Sequence, residues 1–227
     1  TGILLKVSTE DITSTCATGC SDYASTSCSN SNTLVKSTYN TTVSLSEFTG
    51  SDCELSIVWS SCCRPNSTEG FYLKTTFNKC IDGENSSPKI INNPYHTIAF
   101  NEPYSYSWKA FDKDGDSLVY SLVESKTSET GSYFYEKGLN YKNPFTYVGY
   151  PQSGAKFPKG FHFDGRNGLL RFYPTKVMSA PIAVKISEFR NGVKIGESTR
   201  EITMSVKNIS NSKPIVTGLN GGNKESI

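Results

Sequence analysis

Asp112, Asp114 and Asp116 stand at alternate positions in the stretch Phe111-Asp112-Lys113-Asp114-Gly115-Asp116-Ser117-Leu118. Three carboxylates this close repel one another unless a cation holds them. Calcium suits that task, because it takes about six to eight oxygen ligands in a flexible geometry. The competing reading is a solvated turn, since Asp and Gly are ordinary turn residues and need no metal. The flanks say what must position the carboxylates. Tyr104 to Ala110 is rich in aromatics, and Leu118, Tyr120 and Leu122 alternate with Ser117, Val119 and Ser121. That pattern puts the acidic stretch in a short turn between two strands. An EF-hand fits poorly. Its sixth position would be Ser117 where glycine is needed, its twelfth Val123 where glutamate is needed, and the flanks are not helical.

Further ligands have two sources. Asp82, Glu84 and Asn85 lie in a polar break that ends at Pro88, and they would either ligate a cation between two domains or form a solvated linker. Glu188 and Arg190 are two apart on an alternating segment and therefore share a face. They read either as a surface ion pair or, for Glu188, as part of the same cation site.

The chain has 227 residues, enough for one large or two modest domains. A net charge of +2 without a long basic cluster argues against nucleic acid as a partner. Abundant Tyr, Phe, Ser, Thr and Asn suit strands. There is no apolar run of about 18 residues, so no membrane insertion is expected, and no charged-then-apolar signal peptide is read at the start. The opening Thr1-Gly2-Ile3 and the Gly-rich end read as an excised piece of a longer chain.

Seven cysteines, Cys16, Cys20, Cys28, Cys53, Cys62, Cys63 and Cys80, all fall in the first 80 residues. None makes a C-x-x-C pair, so zinc is disfavoured and disulfides in an oxidising compartment are expected. One cysteine is left over and the pairing is open. This asymmetry, with the break before Pro88, divides the chain. We expect an all-β protein of two consecutive β-sandwich domains, Ig-like or cadherin-like: a disulfide-rich domain over 1–85, a domain with the acidic loop over 86–213, and a linker or next module over 214–227. Cys53 to Ser60 and Gly70 to Phe77 read as strands of the first domain. In the second, Phe161 to Phe172 reads as strand, turn, strand, and Asn191-Gly192 is a strong hairpin signal between two long alternating segments.

Ser86-Ser87-Pro88, the Phe-Asp-x-Asp-Gly-Asp-Ser-Leu-Val-Tyr-Ser-Leu of 111–122, the Glu-Phe-Arg-Asn-Gly of 188–192 with Arg200-Glu201-Ile202, and Cys62-Cys63-Arg64 resemble a repeat module of large surface adhesins of gliding Bacteroidetes. The resemblance spans roughly residues 50 to 220. It implies export by type 9 secretion, an extracellular or cell-surface location, outer-membrane association of the parent protein, and a role in attachment or gliding motility. The second half is also similar to cadherin-like repeats, in which calcium stiffens a string of modules. Its Asp164 to Leu169 turn resembles the Asp-x-x-Thr-Gly turn of those repeats, with Asn167 in place of Thr. Where relatives carry a disulfide in the second domain, this chain has Ala99 and Ile209, which should then pack together without a covalent bond. Glu201 stands where an aspartate is usual and is a further candidate ligand.

The expected function is structural or adhesive, with no catalytic residue assigned and calcium as the cofactor. Its partners are neighbouring modules of the same polypeptide and surface polysaccharide or other cell-surface proteins. One alternative is a carbohydrate-binding module using the Tyr-rich excursion of residues 133–150, through Tyr141 and Tyr147, since loops carry binding. The stripe Tyr104, Tyr106, Trp108 reads as sandwich core or, alternatively, as a carbohydrate face. A hydrolase is the second alternative. It would draw on His96 or His162, on a cysteine of the disulfide-rich region, or on a carboxylate pair such as Glu188 with Asp164 or Asp114, and the chain has no Gly-x-Ser-x-Gly elbow.

Overall fold

The computed structural model describes residues 5–11, 35–42, 44, 48, 51–62, 64, 68–81, 84–92, 97–209, 215–216 and 225–226. Among these residues every regular element is a strand. In chain order they are β1 (Leu5–Asp11), β2 (Val35–Asn40), β3 (Glu54–Ser61), β4 (Phe71–Asn78), β5 (Lys89–Ile90), β6 (Thr97–Ala99), β7 (Tyr104–Ser107), β8 (Ala110–Phe111) and β9 (Ser117–Val123). They continue with β10 (Phe161–Asp164), β11 (Leu169–Phe172), β12 (Met178–Arg190), β13 (Val193–Lys207), β14 (Ile215–Val216) and β15 (Glu225–Ser226).

The frame is the long β12–β13 hairpin. Asn191 and Gly192 turn it with φ of 51° and 80°, the positive values that a tight two-residue hairpin turn demands. A six-stranded sheet grows around it in the order β3-β4-β13-β12-β9, with β6 parallel to the far end of β13. A three-stranded sheet, β10-β11-β7, lies apart from it in hydrogen bonding. The two sheets share one apolar cluster. Ile182, Val184 and Ile186 of β12 and Ile202, Met204 and Val206 of β13 supply one side; Tyr106, Leu170, Phe161 and Phe172 supply the other. Period-two alternation puts these residues on the inner face of each strand. Each fully buried aliphatic or aromatic side chain contributes about 1.5–3 kcal/mol. Tyr106 and Trp108 of the aromatic stripe belong to this core, and Trp108 is wholly buried. Tyr104 packs edge-on against Phe172 with ring centroids 5.6 Å apart.

Strands on both sides of the break before Pro88 share a sheet. Thr75, Thr76 and Phe77 of β4 pair with Ser198, Glu197 and Gly196 of β13. The boundary read at 85/86 therefore runs through one hydrogen-bonded sheet. The reason is that β13 has a free edge there, and the β3–β4 hairpin supplies its backbone partners. Cys53 and Cys80 form a disulfide across the open end of that hairpin, just outside the Glu54–Asn78 pair. Cys62 is exposed at the end of β3. Cys16, Cys20, Cys28 and Cys63 lie outside the described residues.

The Tyr-rich excursion is packed rather than open. Phe145 and Tyr147 join the core cluster, Phe145 stacking on Phe172 at 5.3 Å. Tyr147 is 1% exposed, and its hydroxyl donates to Asn143 Oδ1 at 3.0 Å. Its ring is covered on the apolar side of the molecule, which corrects the expectation that Tyr147 presents a face to a ligand. Tyr141 stays partly exposed. At the far end of the core, Ala99 pairs with Lys207, and the Ile209 amide donates to the Lys207 carbonyl at 3.1 Å. Ala99 thus lies opposite a residue two short of Ile209. No helix among the described residues is long and apolar enough to cross a membrane.

Candidate metal centre

The acidic turn joins β8 to β9 and is shaped by its own first carboxylate. Asp112 Oδ1 accepts hydrogen bonds from the amides of Asp114 at 2.9 Å and Asp116 at 3.0 Å. Such side-chain-to-backbone bonds two and four residues on are what makes Asp a turn residue. Gly115, at φ 80°, takes the left-handed conformation that a Cβ would disfavour. The result gathers the side chains: one carboxylate oxygen from each of Asp112, Asp114 and Asp116 lies within 4.8 Å of the others. Oxygens about 2.3–2.6 Å from a shared calcium ion can stand up to about 5 Å apart across it, so this spacing is compatible with one ion.

β12 brings the next residues. Its pairing with β9 sets Glu188 opposite Leu118 and Phe189 opposite Ser117, so Arg190 arrives beside Asp116. The Arg190 guanidinium grips Asp116 with both arms, Nε to Oδ1 at 2.9 Å and Nη2 to Oδ2 at 2.6 Å. The same Nη2 donates to Asn85 Oδ1 at 2.8 Å, and Nη1 to the Glu84 carbonyl at 3.3 Å. The Ser86 amide donates to Asp114 Oδ2 at 2.5 Å. The segment before Pro88 is thereby tied to the turn through Arg190 and through one backbone amide.

Glu188 is 2% exposed and Asp112 8%. Glu188 Oε1 and Asp112 Oδ2 are both buried with no hydrogen-bond partner. A buried carboxylate oxygen without a partner costs far more than an exposed one. Burial raises the Glu188 carboxyl above the ordinary glutamate range; the Asn85 hydrogen bond opposes this, and the charges of Asp112 and Asp116 add to it. Asp116 goes the other way, held below its usual range chiefly by the hydrogen bond from Arg190. Arg190 hydrogen-bonds Asp116, Asn85 and the Glu84 carbonyl, and reaches Glu188 and Asp114 only through its charge. Carboxylate oxygens suit a hard divalent cation; the three that gather within 4.8 Å are those of Asp112, Asp114 and Asp116, and Glu188 borders them closely enough to feel the charges of Asp112 and Asp116. Gly196 faces Glu188 across the hairpin, and a Cβ there would lie 3.4 Å from Glu188 Oε2.

The other sequence candidates fall as follows. Asn85 is in the site through its side-chain oxygen, whereas Glu84 contributes a carbonyl and its side chain is exposed. Asp82 and His96 lie outside the described residues. Asp164 closes its own turn, its Oδ1 accepting from the Arg166 amide at 2.9 Å. His162 Nε2 lies 2.7 Å from the Lys159 carbonyl. Glu201 is removed from consideration as a ligand. It pairs with Ala183, five strand positions from the Glu188–Gly196 pair and so about 16 Å along the hairpin. There it is bound by Arg64, Nε to Oε1 at 2.5 Å and Nη2 to Oε2 at 3.0 Å.

Sequence reasoning does not reach the partners of two arginines. Spacing sets Arg190 beside Glu188 on one strand face, yet it holds Asp116 and Asn85. Arg64 is 1% exposed and also donates to the carbonyls of Gly70 and, at 2.6 Å, Lys126, with its guanidinium 5.4 Å from the Tyr133 ring centre. The one available signal was an arginine in an otherwise polar loop, which says nothing of burial. No protein-family model, curated protein or solved structure matches the chain.

Proposed function

We propose that the chain is a non-catalytic structural module of a large cell-surface adhesin, stiffened by a calcium ion at the acidic turn. Asp112, Asp114 and Glu188 are its principal carboxylate ligands, with Asp116 and Asn85 held beside them by Arg190. The observation that carries this reading is the gathering of Asp112, Asp114 and Asp116 within 4.8 Å, with a buried, unpartnered oxygen on Asp112 and another on Glu188. The ion would join three segments remote in sequence: the stretch before Pro88, the turn, and the end of β12. That is a stiffening role, because such an ion resists separation of the segments it bridges.

The two packed sheets favour a cadherin-like or Ig-like sandwich for residues 86–213. In this reading residues 1–85 are a disulfide-bearing unit attached edge to edge through β4. The Cys53–Cys80 disulfide favours an oxidising, extracellular setting. The resemblance of residues 111–122 and 188–202 to adhesin repeats of gliding Bacteroidetes supports attachment to neighbouring modules of the same polypeptide and to cell-surface material.

The test is thermal unfolding of metal-stripped protein, with calcium and with chelator. Calcium should raise the midpoint, and Asp112→Asn with Glu188→Gln should abolish the rise. An identical curve in both conditions would sink the calcium reading.

A further inference from the structure

A cleft of about 600 Å³ opens on the face of the six-stranded sheet turned away from the core. Ligand pockets run from roughly 300 to 1,000 Å³. The alternation that sends Ile202 and Met204 inward sends Glu197, Thr199 and Glu201 outward to this face. Tyr72 of β4 and Tyr141 of the excursion, two tyrosines from different segments, line one space; the Lys142 ammonium lies 5.7 Å from the Tyr141 ring centre.

Three of the four glutamates that line the cleft are already paired. Glu197 is paired with Lys194 at 2.6 Å and with Lys185 at 3.5 Å. Glu201 is bound by Arg64 and Glu124 by Lys126 at 3.3 Å. Carboxylates that already have counter-cations attract no further strong cation, yet each oxygen keeps lone pairs for a hydroxyl donor. Lys74 and Glu129, also on the lining, add one charge of each sign. The cleft is thus close to neutral, dense in fixed acceptors, and lined by two tyrosines. A polyanion finds no net positive field here, and an apolar ligand would leave these groups without water. A polyhydroxylated ring matches both features, with its apolar C–H face for a tyrosine and its hydroxyls for the glutamates and Thr199.

We propose that this cleft binds a short neutral saccharide, with Tyr72 and Tyr141 as its apolar walls and the held glutamates as acceptors. The cleft lies on the other face of the sheet from Glu188, because Glu197 and Ser187 alternate with Gly196 and Glu188 along the hairpin, and the proposal does not rest on the calcium reading. Tyr141 thereby takes the role expected of the Tyr-rich excursion, while Tyr147 does not.

The intact chain should be screened on an array of neutral glycans. A neutral hexasaccharide that binds there should then be titrated by calorimetry, beside a polygalacturonate oligomer and a lysine-rich peptide. Saturable binding of the neutral hexasaccharide is expected, weakened tenfold or more by Tyr141→Ala and by Thr199→Trp, which fills the cleft from the opposite strand. Melting curves should verify that both variants remain folded. Phe134→Ala, at a side chain 84% exposed outside the cleft, should bind as the unaltered chain does. Binding should persist in chelator, which separates this proposal from the fate of the metal site. Array silence, binding only of the anionic oligomer or the peptide, or full affinity in both cleft variants would each overturn it.

Discussion

The β12–β13 hairpin buries two glutamates and compensates them in opposite ways. Glu201 meets a guanidinium in a two-pronged pair, and that guanidinium also donates to the carbonyls of Gly70 and Lys126. Glu188, about 16 Å further along, keeps one oxygen without a partner and faces other carboxylates. The nearest guanidinium, Arg190, spends both arms on Asp116. A closed pair of this kind serves packing and makes no demand on solution conditions. In the calcium reading, a cluster of carboxylates without such a partner ties the stability of its surroundings to the cation. The difference separates an internally compensated pair from a carboxylate group that is not compensated.

The largest effect should come from breaking the compensated pair. Arg64→Ala strands Glu201 and should cost about 3–5 kcal/mol in denaturant unfolding, as for other buried pairs that lose one partner. Arg64→Met combined with Glu201→Leu should recover most of that loss, since a buried pair replaced by apolar residues is often neutral. If the double variant is as unstable as the single one, the pair is doing something beyond mutual compensation.

Calcium should act next in size, and only at the other glutamate. At an ion concentration about 100-fold above Kd the gain is about 2.7 kcal/mol. The gain should vanish in Glu188→Gln and survive in Arg64→Ala. Equal response of the two variants would erase the contrast. A smaller effect, about 1 kcal/mol, is expected for Gly196→Ala, because the new Cβ meets the Thr76 carbonyl at 3.2 Å and Glu188 Oε2 at 3.4 Å. Its calcium response should weaken in parallel, and an unchanged response would show that Glu188 need not stay in place.

The pH profile offers the finest test. Folding raises the Glu188 pKa, so the folded state holds this proton more tightly than the unfolded chain does. Without calcium its contribution is fully favourable below the unfolded value, about 4.3, and is lost as pH rises through the folded value. Glu188→Gln should remove that decline in chelator. Asp116 has the opposite sign: its pKa is lowered, so its contribution is present above the unfolded value and fades as pH falls through the folded one. With calcium bound, ligation favours charged Glu188, and affinity should drop as the medium is acidified. Melting temperatures measured from pH 4 to 8, with and without the ion, separate these slopes.

Local pattern alone determined the all-β character, the hairpin at Asn191-Gly192 and the acidic turn, because period-two alternation and turn chemistry act over a few neighbours. It also brought Asp112, Asp114 and Asp116 together, since their spacing is a property of one short loop. It was silent on partners distant in the chain. That β4 would join β13 across the break before Pro88, that Tyr147 would be covered while Tyr141 stays accessible, and that Arg64 would reach Glu201 rather than leave it to the turn were all decided by tertiary packing. Burial sets the worth of a charge, and burial depends on residues far apart in sequence. So the carboxylates were legible in the sequence, and only the folded chain showed which of them an arginine holds.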